Sequence, residues 1–371
     1  MTIDANRDFK ELAEMSVPVK RAAYSDRTAW IMAILAELAY IPFDEESEQT
    51  ILSLAAELAK LTEQDKIAER LTEFQKILAG INPVPGTEAG KNERLKAALK
   101  VGGFELAGDV LHKPETDTQG FVAYRRDDKG TSMAVICFRG TKQIKDWMTN
   151  VDIRPVPITD PKTGAIIGNM HKGFHDAYRS VHDDIFNRLK GHEDLPLYIA
   201  GHSLGGALAV VATWFQSSQQ LAACYTFGTP RVGDQGLIDR FKTPIYRIVN
   251  GPDPVTLVPP SGFARDICKG IIRVLGFVLP FWGWADWVTN LLIRVQRFRH
   301  YGYMRYLTVA DAGPNGDYPN LRLEFALSTL QRLIRFYKLR TSRKADRIDK
   351  YHDMVRYRNK LRAHALRRNQ M

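Results

Sequence analysis

The chain has 371 residues, 44% of them hydrophobic, enough for one large domain or two ordinary ones with a sizeable core. Its three cysteines, Cys137, Cys224 and Cys268, form no close pair, which argues against a disulfide framework and against a zinc site. The formal net charge of +10 is concentrated at one end: residues 331–371 hold fourteen Lys or Arg against three Asp, while the body before them is near neutral.

The opening "MTIDANRDFKELAEM" lacks the apolar core of a secretory leader. The expectation is a cytoplasmic or peripheral membrane protein, with export by a route that leaves no such mark still open. "SDRTAWIMAILAELAYIPF" (25–43) reads as a helix capped by Asp26, with Trp30, Ile34, Leu35 and Leu38 at helical spacing. Residues 48–80 carry two apolar stripes, Leu54, Leu58 and Leu61, then Ile67, Leu71, Phe74 and Leu78, and predict a helical pair. "INPVPGTEAGKN" closes it with Pro and Gly punctuation.

Beyond residue 120 the texture changes. "GFVAYRRDDKGTSMAVICFRGT" reads as two strands around a turn at Asp128-Lys129-Gly130. "FHDAYRSVHDDIFNRLKG" reads as one helix, "LPLYIAG" as a buried strand, and "LGGALAVVATWFQSS" as a helix. "AACYTFGTP" and "IYRIVN" are further short strands. Strands alternating with helices predict an α/β fold whose mostly parallel sheet is covered on both faces. "CKGIIRVLGFVLPFWGWADWVTNLLIRVQRF" (268–298) is very apolar, yet Arg273, Pro280 and Asp286 interrupt it, so a membrane-spanning helix is not expected. A helical lid or an interfacial docking hairpin fits better, with a buried pair of core helices as the bland alternative.

"LYIAGHSLGGALAVVATW" (197–214) places Ser203 in a G-x-S-x-G pattern. A serine hydroxyl is a poor nucleophile at neutral pH and needs an oriented base within hydrogen-bond reach. In such an elbow the serine sits on a sharp strand-to-helix turn, and its neighbours two residues away must lack side chains. Gly201 and Gly205 occupy those places, and the N–H of Leu204 would face the developing oxyanion. Alone the pattern is weak, but here an apolar strand precedes it and a long apolar helix follows.

Several segments in order resemble the class 3 lipases, an α/β-hydrolase family that includes fungal triacylglycerol lipases. They are "AVICFRGTKQIKDWMTNVD", "MHKGFHDAY", "IAGHSLGGALA", "YTFGTPRVGD", "YRIVNGPDPVTLVPP" and "FRHYGYMRYL". The resemblance implies an α/β-hydrolase fold and a Ser-His-Asp triad with Ser203 as nucleophile, Asp253 as acid and His300 as base. It also implies an oxyanion hole at Thr141 and Leu204, and a lid with Ile144, Trp147 and Met148 on its apolar edge. His202, His171 and His175 are weaker candidates for the base, and Asp234 and Asp266 for the acid. The implied reaction is acyl transfer through an acyl-enzyme, with no metal or organic cofactor.

Three departures from the simplest family members stand out. Helices are inserted at 47–90, the apolar segment 262–297 falls between acid and base, and a basic helical tail covers 325–371, all within a single hydrolase domain of residues 1–371. The tail's "DKYHDMVRYRNKL" is similar to a closing helix of some bacterial relatives. It reads either as a solvated helix face or as a dock for anionic membranes. No helix-turn-helix, zinc-finger or RNA-binding signature accompanies it, so nucleic acid is not expected as a partner. The resulting expectation is a carboxylester hydrolase, a lipase acting on acylglycerols. Phospholipase A1 is the alternative within the class, and a non-enzymatic lipid- or partner-binding module the alternative outside it. Oligomeric state is not legible.

Overall fold

A computed structural model of the chain describes residues 21–43, 47–80, 88–127, 132–141, 154–160, 163–216, 220–258, 298–325, 327–340 and 349–368. Four helices come first: α1 (Asp26–Leu38), α2 (Glu48–Leu61), α3 (Ile67–Gly80) and α4 (Glu88–Val101). The Ser25 hydroxyl, not Asp26, caps α1, accepting from the N–H of Thr28. The sequence reading had no counterpart for α4, whose buried side is made of Leu95, Ala98 and Leu99 behind a polar, glycine-containing first turn.

Strands β1 (Glu105–Leu106), β2 (Leu111–Lys113), β3 (Thr118–Arg125) and β4 (Met133–Phe138) follow. Next come the hairpin of β5 (Pro155–Thr159) and β6 (Ile166–His171), α5 (Lys172–Arg179) and α6 (His182–Leu189). The expected single helix over this last stretch is two. Val181 leaves helical geometry between them and is fully buried, which turns the chain against the core. Then β7 (Leu197–His202), α7 (Leu204–Phe215), β8 (Leu221–Phe227), α8 (Gln235–Ile238) and β9 (Ile245–Asn250) alternate. The chain closes with β10 (Tyr303–Leu307), β11 (Leu323–Glu324), α9 (Thr329–Arg340) and α10 (Met354–Arg368).

The main sheet runs β1-β3-β4-β7-β8-β9-β10-β11, with β2 also on β3. Strands β4, β7, β8, β9 and β10 are mutually parallel, and the flanking pairs are antiparallel. This is the α/β-hydrolase arrangement anticipated from the sequence. All six residues of β4 are buried, as a strand covered on both faces requires. Val135 and Cys137 point into one core with α1, α2, α3, α4 and α10, while Ile136 and Phe138 point into the other with α5, α6 and α7. Cys137 and Cys224 are free and buried, and burial pushes the Cys224 thiol up to about 12.

The second half of the basic tail is core, not a solvated face. Tyr357, Leu361 and Ala365 recur every four residues along α10 and are buried in the first core, where α10 packs on α1. Arg358 on the same helix reaches Glu37 of α1 at 2.7 Å and Glu57 of α2 at 2.6 Å, all three side chains being buried. Arg362 adds to Glu57 at 3.3 Å. Among the described residues, no helix is long and apolar enough to cross a membrane. The apolar segment 268–297 lies outside the described residues.

Candidate active site

The parallel strands deliver their following residues to one edge of the sheet. Phe138 pairs with Gly201, His202 with Phe227, Phe227 with Ile248, and Asn250 with Leu307. The residues just beyond β4, β7, β8 and β9 are therefore neighbours: Gly140 and Thr141, Ser203, Gly228, and Asp253. This is the carboxyl edge, where open α/β sheets place their ligands.

Ser203 sits between β7 and α7 with φ 56° and ψ −123°, a left-handed conformation that costs a non-glycine residue of order 1–3 kcal/mol. The turn is held by the Ser203 N–H donating to the Phe227 carbonyl at 2.8 Å and by the Ser203 carbonyl accepting from Gly206 at 3.0 Å. A side chain at Gly201 would run into the Gly205 backbone, and one at Gly205 into the backbone of Phe138 and Arg139. The two glycines thus let strand, turn and helix close on one another. Leu204 opens α7, so its N–H has no intrahelical acceptor. Gly140 lies directly against the serine, since a Cβ added there would be 2.9 Å from the Ser203 Cβ. Thr141 follows it, half-buried. Ile144, Trp147 and Met148 lie outside the described residues.

Asp253 is buried in the loop after β9. Its carboxylate accepts from the Val255 N–H at 2.9 Å and from the Tyr357 hydroxyl at 2.6 Å. Its third partner is His352, whose Nδ1 lies 2.9 Å from Oδ2 and 3.0 Å from Oδ1. With Nδ1–H donated to the carboxylate, His352 carries its lone pair on Nε2, a buried atom with no hydrogen-bond partner among the described residues. Gly228 shows how close this pair stands to the elbow. It follows Phe227, which holds the Ser203 N–H, and a Cβ on it would meet Asp253 Oδ2 at 2.6 Å and the His352 ring at 3.0 Å.

His300, the base implied by the family resemblance, is not brought to this carboxylate. It precedes β10, and the parallel strand then carries the chain away towards the carboxyl edge. Its Nε2–H donates instead to the Thr256 carbonyl at 2.7 Å. Burial, then the charges of Arg247, Arg231 and Arg332, push its imidazole well below the ordinary histidine range, so it stays neutral. Its partner Thr256 donates its hydroxyl to the Asp253 carbonyl at 2.8 Å and is also bonded by Arg332. His300 therefore braces the loop that carries Asp253.

The other rivals are accounted for by their contacts. His202 donates Nε2–H to the His352 carbonyl at 2.7 Å, and its Nδ1 lies 2.7 Å from the Tyr40 hydroxyl, leaving no ring nitrogen for a serine. His171 stacks on Phe174 with ring centroids 4.2 Å apart, and His175 lies 2.9 Å from Asp176. Asp234 caps α8 and accepts from Asn169 at 2.8 Å, a turn residue as expected. Asp266 lies outside the described residues. His352 was missed although it satisfies the order Ser, Asp, His as well as His300 does. The available signal was its position, after the last parallel strand and just before a helix.

Residues 135–263 match the family described as lipase (class 3). A lipase from Rhizomucor miehei is 32% identical over 160 residues, 40% of this chain and 42% of that protein. The chloroplastic phospholipase A(1) DAD1 of Arabidopsis thaliana is 31% identical over 229 residues, 54% of this chain and 51% of that protein. The chain thus spans about half the length of these curated relatives. Among solved structures, a lipase from Rhizopus microsporus var. chinensis is 18% identical with a TM-score of 0.48, over 86% of each chain. With its parallel sheet and its strained serine turn, the chain has an α/β-hydrolase fold whose central segment, residues 135–263, is similar to the class 3 lipases.

Proposed function

We propose that the protein is a serine carboxylester hydrolase, a lipase that cleaves acyl esters of lipids with Ser203 as nucleophile, His352 as base and Asp253 as acid. The observation that carries this reading is the buried Asp253–His352 pair beside the strained Ser203 turn. His352 Nε2 takes the Ser203 proton as the hydroxyl oxygen attacks an ester carbonyl. Asp253 keeps the imidazole in the Nδ1–H tautomer and stabilises the imidazolium that forms. The tetrahedral oxyanion is held by the N–H groups of Leu204 and Thr141, each such donor being worth roughly 100- to 1000-fold in rate. His352 then returns the proton to the leaving alcohol. Water, deprotonated by the same nitrogen, cleaves the acyl-enzyme and frees the carboxylic acid.

A second reading within the class, phospholipase A1, is favoured by the similarity to the Arabidopsis phospholipase, which spans more of this chain than the match to the Rhizomucor lipase does. Hydrolysis of triacylglycerol, diacylglycerol and phosphatidylcholine by wild type and by Ser203→Ala decides both points. Ester cleavage by wild type alone supports the hydrolase, and the preferred head group selects between lipase and phospholipase. Equal turnover by both proteins removes the hydrolase reading.

A further inference from the structure

The residue before the serine links the two sides of the site. The His202 ring lies between Tyr40, just past the end of α1, and the loop carrying His352. Its Nε2 contacts a carbonyl oxygen, which can only accept, so the proton of the neutral ring resides on Nε2. Nδ1 is then an acceptor, and the Tyr40 hydroxyl must donate to it. The Arg139 guanidinium stands 5.3 Å from the centre of the Tyr40 ring, and Arg139 leads directly into Gly140 and Thr141. One chain of contacts thus runs from the strand end on the oxyanion side, through Tyr40 and His202, to the backbone of His352. The His202 and His352 rings lie 4.6 Å apart, centre to centre, with the Tyr357 ring 5.9 Å from His202.

We infer that His202 is a positioning residue for the base: as a neutral Nε2–H donor it pins the His352 carbonyl to the serine turn and so sets the distance from His352 Nε2 to the Ser203 hydroxyl. The inference rests on the reading of Ser203 and His352 given above. Three features of the site support it. Full burial, followed by the neighbouring His352, holds the His202 pKa well below the ordinary range, so the ring stays neutral and Nδ1 remains an acceptor for the Tyr40 hydroxyl while Nε2–H donates to His352. Covalent attachment puts His202 one bond from the serine backbone, making it the shortest rigid route between nucleophile and base. Nearby, the Asn250 amide donates to the Tyr351 carbonyl at 2.9 Å, and Asp253 holds the His352 ring through Nδ1 at 2.9 Å. His202 adds the hold on the backbone carbonyl of residue 352 itself.

The test uses the full chain and three variants. In His202→Gln the amide nitrogen replaces Nε2, the donor to His352. In His202→Asn the shorter side chain places its amide at the Nδ1 position, near Tyr40 only. His202→Phe keeps the ring and removes both bonds. Since a misplacement of about 1 Å costs roughly 100-fold, kcat for a short soluble ester should fall roughly 100-fold in the Phe and Asn variants with KM changed less than about 2-fold. The Gln variant should recover to within roughly 10-fold of wild type. Labelling of the serine by a fluorophosphonate should slow in parallel. Melting temperatures for all four proteins separate this from unfolding, because a merely structural role would order activity by stability and not by donor position. Equal kcat in the Phe, Asn and wild-type proteins, or an Asn variant better than Gln, overturns the inference. Absence of Ser203 labelling in wild type would instead overturn the hydrolase reading on which it depends.

Discussion

Asp253 and His352 are 99 positions apart in sequence and 2.9 Å apart in space, both buried, with the Tyr357 hydroxyl completing the carboxylate's partners. His300, only 47 positions from Asp253, is bonded elsewhere. Removal of each histidine should therefore have different consequences. His352→Ala should lower kcat about 10,000-fold or more with little change in KM. His300→Ala should retain much more activity and lose stability, about 1–3 kcal/mol for the unmade buried hydrogen bond at Thr256. Steady-state kinetics and urea unfolding on both variants check this. A dead His300→Ala beside an active His352→Ala would reverse the assignment.

Gly228 sits at φ 60° with its Cα facing Asp253 and His352. Gly228→Ala puts a methyl group 2.6 Å from the carboxylate oxygen and strains the backbone. Left-handed geometry alone costs about 1 kcal/mol, and the pair must separate further to make room. The expected outcome is a lowered melting temperature together with a kcat loss larger than that stability change accounts for. Unchanged kcat would mean the pair is not used.

Arg358 lies between two buried carboxylates, Glu37 and Glu57, and ties the tail helix to α1 and α2. Arg358→Met leaves both carboxylates buried without their shared cation. Breaking a buried pair in this way costs about 3–5 kcal/mol. Combining it with Glu37→Gln and Glu57→Gln should return part of that loss. Chemical denaturation of the single and triple variants measures both. A single variant as stable as wild type would show that α10 does not depend on this contact.

Lys360 is buried on α10, donating to the Asn250 side-chain oxygen at 2.8 Å and to the Thr308 carbonyl at 2.7 Å. Burial, with help from the Arg356 charge and against Asp311, lowers its pKa to about 7. An unfolded lysine titrates near about 10.4. Between these values the unfolded chain binds the proton more tightly than the folded one, so Lys360 favours the fold most at high pH. That contribution is lost as pH falls from roughly 10 towards about 7. Lys360→Met should flatten the rise of unfolding free energy with pH across this window. Identical slopes for the two proteins, measured by urea unfolding at several pH values, would exclude the shifted lysine.

The elbow was legible because its constraints are local. A serine turn between strand and helix needs glycines two residues away on either side, and Gly201 and Gly205 state that requirement within five residues. The parallel strands were legible for a similar reason, since a strand covered on both faces must be apolar throughout, as β4 is. The hairpin of β5 and β6 was not. Its exposed positions mix with Pro155 and Pro157, and the pairing, not the residue pattern, makes it a sheet. The tail misled for a related reason. Arg358 and Lys360 read as solvent-facing charges until Glu37, Glu57 and Asn250 are placed opposite them.

By itself the sequence determined that Ser203 sits in a glycine-flanked turn between strand and helix, because that constraint lies within five residues, and only the family resemblance pointed to Asp253. Only the tertiary structure decided which histidine meets that acid. Two histidines satisfy the same chain order, and a hydrogen bond of 2.9 Å across 99 residues is a property of how β10 and α10 return to the sheet edge, which no short stretch of chain encodes.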